Sequence, residues 1–223
     1  MHAAIFSDVH GNLPALEAFV KDTKKWADKY ICLGDVVNYG PWGNECVEMV
    51  LSLPGIVLLE GNHERLFLGA EAIEHEIPLV QEFFRHASAL FTRHDLIRNL
   101  PQSVEIGNYL CTHTIEGRRL YPDSEIVVSR SFFVGHSHHA CRIASGSHAV
   151  INVGSVGQNR RHGDRINYAL YDVEAGDVQL METPYEWERM IEGLRGAAFP
   201  ESCIEYYLKK MPGGDGRPYE RQG

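Results

Sequence analysis

The chain has 223 residues, 44% hydrophobic and 23% charged, with a formal net charge of -9. That is long enough to bury one sizeable core, and no apolar run approaches the roughly 20 residues that span a bilayer, so a membrane-spanning protein is excluded. The acidic balance also argues against sequence-independent nucleic-acid binding through phosphate neutralisation, although a bound divalent cation would let an acidic site hold a small phosphate ester.

A β-rich apolar run at 3–6 predicts the first strand. After it, Leu13, Leu16, Val20 and Thr23 fall on one helical face, with Asn12 as N-cap and Pro14 in the first turn. A strand at 30–33 precedes a stripe of Cys46, Val47, Val50 and Leu51, and a strand at 56–59 precedes one of Ile77, Val80, Phe84, Ala87 and Phe91. This half reads βαβαβ. Strands then dominate, at 109–111, 132–134, 149–153, 168–171 and 178–181, with a helix at 186–194 after Pro184. The expectation is α/β: a sandwich of two mixed β-sheets flanked by helices, in three or four layers. No linker divides residues 1–211, so they are expected to form one domain, and the apolar-poor, glycine-rich segment 212–223 is expected to be a mobile tail.

The five cysteines are odd in number and lack C-x-x-C spacing, which reads as buried free thiols. With an N-terminus that carries neither a basic region nor a long apolar stretch, a cytoplasmic location is expected.

Chemistry concentrates where strands end. Asp8 and His10 follow the first run, Asp35 the second, Asn62 and His63 the third, His113 the run at 109–111, and His136 and His138 the run at 132–134. The carboxyl ends of parallel strands open into one crevice, so residues distant in sequence should converge there. Gly34, Gly61 and Gly135 each precede a candidate ligand, where a missing side chain permits close approach. A mix of carboxylate, imidazole and amide donors suits Mn²⁺, Fe, Zn²⁺ or Ni²⁺ better than Ca²⁺. With His63 set beside them, the other seven donors exceed what one ion needs and suggest two divalent ions with a bridging carboxylate.

The segments Ser7-Asp8-Val9-His10-Gly11-Asn12, Gly34-Asp35-Val36-Val37-Asn38-Tyr39-Gly40-Pro41, Gly61-Asn62-His63-Glu64 and Gly135-His136-Ser137-His138 resemble, in order, the signatures of the calcineurin-like metallophosphoesterase superfamily. The stretch from Asn152 to Gln158, with Tyr168-Ala169-Leu170, is similar to the small prokaryotic branch of predicted phosphodiesterases. The resemblance implies that Asp8, His10 and His138 hold one metal, that Asn62, His113 and His136 hold the other, and that Asp35 bridges them. It implies that His63 assists the leaving group while a metal-bridging hydroxide attacks phosphorus. Two departures stand out: Glu64 replaces a more usual aspartate, and no glycine follows His113.

Bland readings compete with these. His2, His75, His86, His94, His148 and His162 read as surface or core residues, and His139 as turned away from a site that takes the outer pair His136 and His138. Asn12 and Asn38 can be simple cap or turn residues. The glycines of 152–157 either shape a loop or offer N–H groups to an anion. Arginines are usually solvated, but Arg118 and Arg119 follow His113, and Arg160 and Arg161 follow the glycine-rich turn, so these four are the candidate substrate contacts. The expected partner is a small phosphoester and the expected activity a phosphodiesterase; diadenosine tetraphosphate hydrolysis and phosphoprotein phosphatase activity are the alternatives. A non-catalytic scaffold keeping the fold is the competing class, and it would be expected to have lost His63 or several ligands.

Overall fold

The computed structural model describes residues 1–211, so the tail expected at 212–223 lies outside the described residues. The first sheet is built from β1 (His2–Phe6), β2 (Lys29–Cys32), β3 (Val57–Leu58), β9 (Arg165–Asp172) and β10 (Asp177–Pro184), in the order β10-β9-β1-β2-β3. Its β1, β2 and β3 run parallel, while β9 and β10 are antiparallel to their neighbours. The second sheet contains β4 (Ser103–Ile106), β5 (Tyr109–Thr112), β6 (Ser131–Val134), β7 (Cys141–Ser145) and β8 (His148–Asn152), ordered β4-β5-β6-β8-β7. There β5, β6 and β8 are parallel, with antiparallel β4 and β7 at the edges. Both sheets are therefore mixed, as expected.

The sheets pack face to face. Ala3, Ile5, Ile31 and Leu33 from one meet Ile106, Tyr109, Cys111, Phe133 and Ile151 from the other, with Tyr171 between them, in a cluster of buried apolar side chains. Alternation along each strand sends the neighbours Ala4, Phe6, Tyr30, Cys32 and Tyr168 to the opposite face, where helices cover them. Those helices are α1 (Leu13–Thr23), α2 (Gly43–Leu51), α3 (Asn62–Phe67), α4 (Pro78–Leu90), α5 (Trp187–Gly196) and α6 (Glu201–Leu208). Each places side chains in that one cluster, among them Phe19, Val47, Phe67, Phe83, Leu194 and Tyr207. The outer face of the second sheet is covered instead by Leu120 and its neighbours Ile115, Ile126 and Val128. Three layers result, with the helices on one side only.

Several boundaries differ from the sequence reading for identifiable reasons. The strands β4 and β7 were not expected, because edge strands with a solvated face alternate apolar and polar residues and show no continuous run. The helices α3 and α6 are short, with six and eight residues, too few for a periodic stripe to stand out. In α4 the buried face is Val80, Phe83 and Ala87, one position from the expected Phe84, and Ile77 precedes the helix with 59% exposure. The cap on α1 is as read: Asn12 Oδ1 accepts the N–H of Ala15 at 3.2 Å.

Candidate metal centre

Every candidate ligand sits just past the carboxyl end of a parallel strand: Asp8 and His10 after β1, Asp35 after β2, Asn62 after β3, His113 after β5, and His136 and His138 after β6. The pairing of β1 with β2 carries on beyond the strands, with Asp8 N–H donating to Gly34 O at 3.0 Å and His10 N–H to Asp35 O at 3.0 Å. The backbone turns sharply here. Asp8, His10, Asp35, His136 and His138 all have positive φ, between 52° and 66°, a conformation that costs a side-chain-bearing residue about 1 kcal/mol or more. Gly61 and Gly135 serve close approach of another kind than expected. A Cβ on Gly61 would lie 2.1 Å from Asp35 Oδ1, and one on Gly135 2.2 Å from Ser7 Oγ and 2.6 Å from Asp8 Oδ2, so the glycines make room for the side chains of the site itself.

Each aspartate is held by one oxygen and leaves the other facing inward. Asp8 Oδ2 accepts the N–H of His136 at 3.0 Å, while Oδ1 is buried and has no hydrogen-bond donor among the described residues. Asp35 Oδ1 accepts the N–H of His63 at 2.8 Å, while Oδ2 stands 3.2 Å from His113 Nε2 and 3.9 Å from His63 Nε2.

The histidines are oriented from behind. His10 Nδ1 donates to Val37 O at 3.2 Å, His113 Nδ1 to Leu33 O at 3.0 Å, and His138 Nδ1 to Gln158 O at 3.1 Å. A neutral ring with its proton on Nδ1 presents a lone pair at Nε2. His10 Nε2 and His138 Nε2 are 3.1 Å apart, and His138 Nε2 is 3.1 Å from the orphaned Asp8 Oδ1. Lone pairs converging in a buried pocket repel unless a cation lies among them, and carbonyl-backed imidazoles are the usual metal-binding arrangement. Three clusters arise: Asp8, His10 and His138; His10, Asp35 and His63; and Asp35, His113 and His136. Asp35 belongs to two of them. Asn62 Oδ1 completes the last, 3.1 Å from His113 Nε2. This donor set fits divalent metal ions.

His63 is built the opposite way. Asn38 Oδ1 accepts the N–H of Tyr39 at 2.8 Å, which turns its Nδ2 toward His63 Nδ1 at 2.9 Å. An amide N–H donating to Nδ1 leaves the neutral ring with its proton on Nε2, so His63 faces the cluster as a donor. Asn38, read from sequence as a turn residue, is thus the partner of His63. The departure at Glu64 also resolves: buried beneath the loop, it accepts N–H bonds from Asp35 at 2.7 Å, Val36 at 2.7 Å, Val37 at 3.3 Å and Gly61 at 2.9 Å. It ties β2 to α3 and leaves His63 to Asn38. Sequence carried a signal for both residues, since each lies within a motif, but not for which group each would touch.

Electrostatics show the pocket's demand for positive charge. Burial opposes charging His113, yet Asp35 beside it raises it to about 10. Burial lowers His63 to about 3 and His136 to about 4, keeping both neutral. Burial opposes ionisation of Asp8 and Asp35, but the surrounding histidines hold both below the ordinary carboxylate range.

The arginines separate. Arg119 Nε–H donates to His136 Nε2 at 3.3 Å and lines a cleft of about 580 Å³ with Asn62, His113 and His136. Arg118 instead turns to Glu116 at 4.0 Å, and Arg161 is exposed. Arg160 lies over the ring of Tyr206, 5.5 Å from its centroid. His139 bonds Ser137 O through Nδ1 at 2.7 Å and joins none of the clusters. In the segment 152–157, Val156 and Gly157 donate N–H to Ser7 O at 3.0 Å and Asp8 O at 2.9 Å, so these groups brace the loop carrying Asp8.

Two face-packed mixed sheets with carboxylates and imidazoles gathered at the parallel strand ends define a metallophosphoesterase-type fold and centre. Residues 1–176 match the calcineurin-like phosphoesterase superfamily domain, and the chain belongs to that family. It is similar to an uncharacterized protein of Methanocaldococcus jannaschii, 27% identical over an alignment 240 positions long, gaps included, that covers 89% of this chain and 93% of that protein. Among solved structures, a metallophosphoesterase from Sphaerobacter thermophilus superposes with a TM-score of 0.77 at 26% identity, covering 93% of this chain and 98% of its own. A hypothetical protein from Pyrococcus horikoshii shares the fold, with a TM-score of 0.77 at 16% identity over 92% of this chain and 97% of that one.

Proposed function

We propose that the protein hydrolyses small phosphodiesters with two divalent ions, one held by Asp8, His10 and His138, the other by Asn62, His113 and His136, with Asp35 between them. The observation that carries this reading is the opposed orientation of the histidines. His10, His113 and His138 are backed by carbonyls and offer lone pairs, whereas His63 is backed by an amide donor and offers a proton. Ions bound there supply Lewis acidity toward phosphoryl oxygens and a water acidic enough to act as nucleophile near neutral pH. The protein's own residues do the rest. Asp8 and Asp35, each fixed by a backbone N–H, keep their free oxygens aimed inward without reorganisation. His63 Nε2–H is placed to protonate the departing alkoxide, a contribution typically of 10² to 10⁴ in rate. Arg119 at the cleft edge is placed to meet a phosphoryl oxygen. Retention of His63 and of all seven donors weighs against a non-catalytic scaffold.

The test is turnover of bis(p-nitrophenyl) phosphate by protein loaded with Mn²⁺, alongside p-nitrophenyl phosphate. Chelator-sensitive hydrolysis favouring the diester is expected. A metal-loaded protein that cleaves neither would overturn the reading, and preference for the monoester would overturn the diester assignment.

A further inference from the structure

Beside the metal centre lies a pair of cations that the proposed mechanism does not use. Lys210 follows α6 and places Nζ 3.3 Å from the centroid of Tyr206. That nitrogen is buried and has no hydrogen-bond partner among the described residues. Arg160 stands over the same ring at 5.5 Å, and no ion pair links either cation to a carboxylate among the described residues. The nearby acid Glu205 pairs instead with Lys209, at 3.5 Å.

This patch adjoins the catalytic pocket. Tyr206 stacks on Tyr39 at 6.3 Å, and Tyr39 in turn packs against His10 at 4.7 Å and His63 at 5.3 Å. Tyr206 OH also donates to Gln158 Oε1 at 3.0 Å, and the carbonyl of Gln158 backs His138. Burial, with the charge of Arg160 beside it, pushes the Lys210 ammonium well below its usual range, and cation–π contact of about 0.5 to 2 kcal/mol offsets only part of that cost. The missing component is an anion.

We propose that Arg160 and Lys210 form a subsite for a second phosphate group, so that the preferred substrates are phosphoesters carrying another phosphate beyond the one at the metals. This rests on the phosphoesterase reading and narrows its substrate class. The neutral arm of a simple diester would leave the pair uncompensated; a phosphate reaching past Tyr39 would accept hydrogen bonds from both cations.

The test uses probes with no ester bond. Manganese-loaded protein is titrated calorimetrically with butylphosphonate and with α,ω-alkylene bisphosphonates of increasing length. At one length the bisphosphonate is expected to bind about ten-fold tighter or more, the size of a charge-assisted contact. Lys210→Met and Arg160→Gln should each remove most of that gain, and Lys210→Arg should restore part of it, with circular dichroism confirming that the variants fold. Equal affinity for mono- and bisphosphonates at every length, or a gain that survives in both variants, would sink the subsite. Because neither probe needs turnover, a protein that binds bisphosphonates selectively but hydrolyses nothing would disprove the hydrolase reading alone.

Discussion

Asn38 has a φ of +73°, so replacement by most residues would disturb the backbone as well as the side chain. Asn38→Gly avoids this, because glycine accepts the conformation and removes only the amide. With no donor at Nδ1, His63 is free to take the wrong tautomer. Turnover of alkyl phosphodiesters is expected to fall by about ten-fold or more, and that of nitrophenyl diesters much less, since nitrophenolate leaves without protonation. His63→Ala should show the same asymmetry more strongly while retaining both metals by elemental analysis; loss of an ion would mean that His63 is a ligand. The proposed bridging role of Asp35 is tested in the same way. Asp35→Asn should reduce occupancy at both positions and His10→Ala mainly at one, so an equal loss of a single ion in each would rule out the bridge.

Between elements, the junction of β2 with α3 carries the site. Glu64 ties four N–H groups there, and Gly61 lets the start of α3 lie against Asp35. The Cβ of Gly61→Ala would sit 2.5 Å from Asp35 N, a backbone atom that cannot swing aside as a flexible side-chain end could. The two elements must part, at a cost of about 1 to 3 kcal/mol by analogy with overpacked cores. Reduced metal content and a lower melting temperature are both expected. A variant with native stability and full metal content would show that the junction is more yielding than this packing implies.

For the molecule as a whole, metal and pH are linked through the histidines. In metal-free protein His113 is raised to about 10, so the stability it contributes is fully present below about 6.5 and is lost as pH rises through 10. His63 and His136 are depressed to about 3 and about 4, so what they contribute is present above about 6.5 and lost as pH falls through those values. The metal-free chain should therefore be most stable near pH 6.5, by thermal melts across a pH series. On the proposed reading, metal bound at His113 takes the place of its proton, so the alkaline loss should vanish in the loaded protein and metal affinity should rise from pH 6.5 toward 10. An alkaline loss identical with and without metal would contradict this.

The candidate donors and their places at strand ends were readable because each motif is local: a short apolar run, a tight turn, then Asp, Asn or His. The βαβαβ order and a second sheet packed on the first followed from the pattern of strands and helices for the same reason. Edge strands such as Cys141–Ser145 escaped notice, since half their side chains face solvent and the pattern thins. Only the tertiary structure decided what depends on distance through space. It turned Arg119 toward His136 and Arg118 toward Glu116, although the two are adjacent in sequence. It placed Asn38 behind His63 and brought Lys210 and Arg160 over the one ring of Tyr206. A hydrogen bond or ion pair is set by ångström-scale placement of elements whose packing is fixed by the whole core, and no short window of sequence contains that information.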